Sequence, residues 1–91
     1  MIRDDLKHIL GKELRFLAIE TRDRLSLTQK EMGERLQMSY SNYSDIETGK
    51  IDCCSTLTAI LLLYMQEDPT IFLDSVSQKL QQWYESVIAS V

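Results

Sequence analysis

The sequence predicts an all-α fold of five helices, the last of them extended. Three observations carry this expectation. The 91 residues include only three glycines and one proline, and so few chain breakers imply long helices with short connections. Apolar residues recur three and four apart, as in Leu6, Ile9, Leu10, Leu14, Leu17 and again in Leu73, Val76, Leu80, Trp83, Val87. Helix-start signals then divide the chain at Thr28, Ser39, Ser55 and Asp68. At 44% apolar content a chain of this length builds one core, not two.

The first helix is expected from about Asp5 to Leu25, with Leu6, Ile9, Leu10, Leu14, Leu17, Ala18 and Thr21 or Leu25 inward. Gly11 interrupts it. Glycine inside a helix costs about 1 kcal/mol relative to alanine, so a kink or a break after a short leader helix is expected there. His8 reads as a surface or partly packed side chain, because no cysteine or second histidine stands at ligand spacing.

Thr28 and Glu31 form a Thr-x-x-Glu capping-box pattern, and Met32 and Leu36 repeat at helical spacing, which predicts a second helix over Gln29–Leu36. Gln37 and Met38 make the turn. Ser39 caps a third helix in which Tyr43 and Ile46 face inward and Tyr40, Ser41, Ser44 and Asp45 face outward. Gly49 stands where a left-handed helix end is expected. Two crossed helices in so few residues must approach closely, and Gly33, without a side chain, allows it.

The fourth helix, TLTAILLLYMQE, follows a cap at Ser55 and is apolar on nearly all sides, so it must be buried on more than one face. Asp68 as N-cap and Pro69 at the first helical position open the fifth. There Leu73, Val76, Leu80, Trp83 and Val87 form an a/d-type seam, widened by Ile71, Phe72, Tyr84, Ile88 and Val91. The seam fits either a helix folded onto its own core or one paired with a second copy. Dimerisation is the expectation, because seam and fourth helix together expose too much apolar surface for a lone small domain.

The stretch Leu27–Lys50 resembles the phage repressor/Cro-like (XRE-type) helix-turn-helix DNA-binding family. The resemblance rests on Leu27-Thr28-Gln29, Glu31, Gly33 in the small-residue slot, Leu36, Ser39 and the run Ile46-Glu47-Thr48-Gly49-Lys50, and extends from about Leu14 to about Tyr64. It implies a five-helix lambda-repressor-like fold with an extended C-terminal helix, its helix-turn-helix DNA-binding domain over residues 1–70 and the helix-turn-helix at about 28–48; the apolar seam marks residues 71–91 as the expected dimerisation extension. It also implies a partly buried ion pair between Arg22 and Glu47, and a phosphate contact from Lys50. The chain departs from the family pattern at Gln37, where a turn glycine is usual, at Tyr43, in a slot for Ile or Val, and at Cys53-Cys54, where Pro-Ser is usual.

On this expectation Gln29, at the start of its helix, holds a DNA phosphate and Asn42 reaches the backbone at the groove edge. Tyr40, Ser41, Ser44 and Asp45 read base edges in the major groove. The expected function is sequence-specific regulation of transcription, as a repressor on a two-fold operator of double-stranded DNA. The alternative keeps the fold and makes it a protein-interaction module, antitoxin-like or a co-regulator subunit.

Charge bears on both. The net charge is −4, yet residues 12–50 balance seven basic against seven acidic side chains, while residues 51–91 set Lys79 against five acidic ones. The acidic C-terminal part is therefore expected to point away from DNA. Adjacent Cys53 and Cys54 support neither a disulfide framework nor a zinc site, and the acidic residues in MIRDDLKHIL are unlike a signal peptide. No apolar run is long enough to span a membrane. A reduced cytoplasmic protein without metal or cofactor is expected. So is the absence of catalysis: the chain has one histidine, no nucleophile–base pair and no glycine-rich phosphate loop.

Overall fold

The computed structural model describes residues 2–52 and 55–88, with side chains described from residue 5. The fold is all-helical: α1 (Ile2–Arg24), α2 (Gln29–Arg35), α3 (Tyr40–Thr48), α4 (Thr56–Tyr64) and α5 (Pro69–Ile88), with no strand among the described residues. The long α1 is the spine, packing against α3, α4 and α5, while α2 packs chiefly on α3. Between them lies one core. Leu14, Leu17 and Ala18 from α1 meet Met32 and Leu36 from the α2 segment, Tyr43 and Ile46 from α3, and Leu62 from α4. These apolar side chains leave water on one side of every helix, which is the main term holding so small a domain together.

The helix ends explain the short connections. At the N-terminus of α2 the Thr28 hydroxyl accepts from the Glu31 N–H at 3.1 Å, and the Thr28 N–H donates to Glu31 Oε1 at 3.0 Å. The Ser39 hydroxyl accepts from the Asn42 N–H at 3.2 Å and starts α3. Ser55 stands at the N-cap of α4 without a side-chain cap bond. Asp68 caps α5 as expected, accepting from the Thr70 N–H at 3.1 Å.

Three helices close in the left-handed region: α1 at Ser26 (φ 55°), α2 at Gln37 (φ 60°) and α3 at Gly49 (φ 81°). After α2, Met38 N–H donates to the Gly33 carbonyl at 2.9 Å and Gln37 N–H to the Glu34 carbonyl at 3.1 Å. After α1, Leu27 N–H reaches the Arg22 carbonyl at 3.0 Å and Ser26 N–H the Asp23 carbonyl at 3.1 Å. Both are Schellman closures made without glycine.

Two expectations need correction. No break occurs at Gly11: α1 is continuous, and Gly11 is buried where the chain after α3 crosses it. A Cβ there would lie 3.1 Å from the Cβ of Asp52, so the missing side chain serves a tertiary approach. The fourth helix ends at Tyr64, three residues early, because Gln66 leaves the helix to donate to Thr21 Oγ1 at 2.9 Å and Leu62 O at 2.8 Å. Arg24 fixes the same turn by donating to the Met65 carbonyl at 3.1 Å.

The seam on α5 is partly covered within the chain. Val76 is buried, and Leu80, Trp83 and Val87 are partly covered, on the side that packs on α1; of the five only Leu73 stays exposed. Lys79 pairs with Glu13 across the same junction. Part of the seam is thus covered within the chain, where α5 packs on α1. Cys53, Cys54 and Val91 lie outside the described residues.

Candidate nucleic-acid interface

The α2–α3 unit is held by close backbone approach and by one ionic knot. A Cβ on Gly33 would lie 3.1 Å from the Met38 carbonyl oxygen, 3.4 Å from that of Ser39 and 3.5 Å from Tyr43 Cβ. The expected need for a small residue at the crossing is met there. Beneath, Tyr43 fills the slot between the helices and is fully buried.

Arg22 on α1 and Glu47 in the last turn of α3 form the expected ion pair, Nε to Oε2 at 2.6 Å and Nη2 to Oε1 at 3.1 Å. Glu47 is nearly closed off, its side chain 9% exposed. Arg22 also donates to the Leu27 carbonyl at 3.2 Å, so one guanidinium ties α1, the start of the α2 segment and α3 together. Burial alone would raise the Glu47 pKa; the Arg22 guanidinium first, then the neighbouring Tyr43 phenol and the Gln29 amide, outweigh it and hold the carboxyl below its ordinary value. Burial likewise pushes the Tyr43 phenol upward. Its hydroxyl lies beside this pair without a hydrogen bond of good geometry.

Gln29 joins the same knot. Its amide donates to Glu47 Oε1 at 2.9 Å instead of facing solvent, because a nearly buried carboxylate is stabilised by each further donor. Sequence spacing located Gln29 correctly but could not show where its side chain turns.

The outward side of α3 is an open ridge. Tyr40, Ser41 and Asn42 are exposed. Ser44 and Asp45, expected outward, are partly buried. The Asp45 carbonyl accepts from Thr48 Oγ1 and from the Ile51 N–H, each at 3.3 Å, which draws the segment after Gly49 against α3. The α5 tail packs on α1 and leaves the ridge uncovered.

Lys50 is exposed just past α3. Arg15 joins it from α1: a Cβ on Gly49 would collide with Arg15 Nη1, so the guanidinium lies against the glycine. It also stands 5.3 Å from the centroid of the Phe16 ring. The ridge is therefore flanked at its C-terminal end by two cations, one from α1 and one from the segment after α3. Arg15 carried no signal of this in sequence, since only the closed fold sets it beside Gly49.

Comparison with protein-family models, with curated proteins and with solved structures found no match to this chain. Among the described residues no helix is long and apolar enough to cross a membrane.

Proposed function

We propose that the chain is a DNA-binding regulator of transcription, a repressor that reads duplex DNA through α3, and that its α2–α3 unit is a helix-turn-helix of the phage repressor/Cro-like kind. The observation that carries this reading is the open α3 ridge: Tyr40, Ser41 and Asn42 stand in solvent on a helix whose opposite face is locked by Glu47, Arg22 and Gln29. A recognition helix must be both presented and rigidly aimed, and this arrangement supplies both. In the proposed complex Lys50 and Arg15 hold phosphates, Asn42 reaches the backbone at the groove edge, and Tyr40 and Ser41 contact base edges in the major groove. Ser44 and Asp45 read bases from the flank, Asp45 by accepting from cytosine. Two copies on a two-fold site give the operator its symmetry, in a reduced cytoplasmic setting.

The test is selection of bound duplexes from a random pool, with the mass of the complex measured on the same sample. Lys50→Ala should weaken retention of all sequences alike, and Ser41→Ala should change the preference among them. If neither substitution alters retention, the groove assignment is wrong.

A second reading, a protein-interaction module of antitoxin or co-regulator type, draws on α3 itself. The helix carries no Arg or Lys, and Asp45 would bring a negative charge to the groove. Salt separates the two. Retention through phosphates falls steeply from low to moderate salt, whereas an apolar protein contact is nearly indifferent.

A further inference from the structure

Helix α4 is apolar on opposite sides. Thr58 and Leu62 point into the core and are buried, while Leu57, Ile60 and Tyr64, spaced by three and four, share the far side in solvent. Tyr64 is 87% exposed and Ile60 58%. No described element covers this stripe, and α5, which could have done so, is packed on α1.

The stripe is also uncharged. Residues 55–66 contain no ionisable acid or base apart from the Tyr64 phenol. The outer side of α5 differs, for its exposed Leu73 and Tyr84 stand next to Asp74 and Glu85. Identical copies of a chain with net charge −4 repel one another at long range. They can close only where the contact sets no like charges face to face, and α4 offers such a surface. A partner recruited to an acidic protein by charge would find nothing to read on it.

We propose that the Leu57–Ile60–Tyr64 face of α4 is the two-fold contact with a second copy of this chain. A two-fold axis across the helix is self-complementary: Leu57 meets the partner's Tyr64, and Ile60 meets the partner's Ile60 beside the axis. The contact moves dimerisation from the α5 seam, part of which the chain covers internally, to the surface left without cover. It deepens the DNA-binding reading, which calls for two copies, and rests on that reading for its purpose but not for its test.

The test is sedimentation equilibrium of the full chain without DNA. Wild type should be a reversible dimer. Ile60→Asp sets two carboxylates together at the axis and should raise the dimer dissociation constant by about 100-fold, with far-UV helicity unchanged because Ile60 is exposed. Tyr84→Asp, on the outer side of α5, should leave the dimer intact. Should Ile60→Asp lose helicity, Tyr64→Ser at the most exposed position gives the same comparison. A wild-type chain that stays monomeric, leaving the face to an unlike protein, overturns the proposal. So does a dimer that resists the α4 substitutions or dissociates on Tyr84→Asp. DNA retention is measured separately: an α4 dimer that ignores DNA sinks only the regulator reading, and a monomer that binds DNA sinks only this one.

Discussion

Arg22 grips both oxygens of Glu47, Nε to Oε2 at 2.6 Å and Nη2 to Oε1 at 3.1 Å, and so fixes the last turn of α3 to the middle of the fold. The Arg22 side chain keeps 28% of its exposure and that of Glu47 only 9%. Water therefore screens the cation more than the anion, and the two ends of the pair are not equivalent. Removing the arginine leaves a carboxylate that solvent cannot easily reach.

Arg22→Ala should cost about 2 kcal/mol of unfolding free energy, below the value for a fully buried pair because Arg22 is partly solvated. The double variant Arg22→Ala/Glu47→Ala should cost less than the sum of the singles, since it leaves no unpaired charge. Urea titrations of the four proteins decide it. Strict additivity would mean that the pair is not coupled.

Acid should act through the same carboxyl. Its folded pKa lies below the ordinary 4.5, so on acidification the unfolded chain takes up the proton first. The stabilisation from this group is fully present above that ordinary value and is lost as pH falls through the folded one. Glu47→Gln should therefore lose less stability than wild type between about pH 6 and pH 3. Equal losses in thermal melts of the two proteins would move the acid sensitivity to other groups, of which Glu31 and Asp68 are also held low by their capping bonds.

What sequence alone conveyed about this chain divides by the range of the cause. The Thr28–Glu31 box, the Ser39 cap and the Gly49 helix end depend on neighbours within four residues, and the structure has them where expected. Gly11 misled because its reason, the approach of Asp52, lies 41 positions away in sequence. The α5 seam was legible as apolar, but periodicity does not say which surface covers it. The site divides the same way. The α3 ridge follows from helical geometry, whereas the turn of Gln29 toward Glu47 and of Arg15 toward Gly49 required the closed fold.

Among the described residues, the two left-handed ones that are not glycine offer stability. Ser26 at φ 55° and Gln37 at φ 60° each hold a Cβ in a region that disfavours it by about 1–2 kcal/mol. Glycine relieves this and gives back part of the gain as unfolded-state entropy. Ser26→Gly should stabilise by about 0.5–1 kcal/mol. Gln37→Gly should gain less, because the Gln37 amide donates to the Glu34 carbonyl at 3.0 Å. The sites end different helices, so the gains should add. Destabilisation by either, read from urea midpoints, would mean that the residue is not left-handed in solution.

Core and contact roles on α5 can be told apart. Val76 is 8% exposed and packs on the α1 side, so Val76→Ala should cost about 1–2 kcal/mol in stability. It should leave the dimer dissociation constant unchanged, because the side chain lies within one copy. A variant that keeps its unfolding free energy but dissociates would restore the seam to the interface between copies.

Arg15 gives the sharpest prediction about the ridge. Its guanidinium lies against Gly49 at the C-terminal end of α3, next to exposed Lys50, yet it comes from α1. If both cations meet phosphates, each releases counterions, and the slope of log affinity against log salt should shrink by about one for either alanine variant. Arg15→Ala and Lys50→Ala together should shrink it by about two, with sequence preference retained. Gly49→Ala should act in part through Arg15, since the added Cβ would displace Nη1, and should weaken DNA retention as well as stability. A stability loss from Gly49→Ala at unchanged retention would show that the φ of 81° alone matters there, and that Arg15 has no part in holding the duplex.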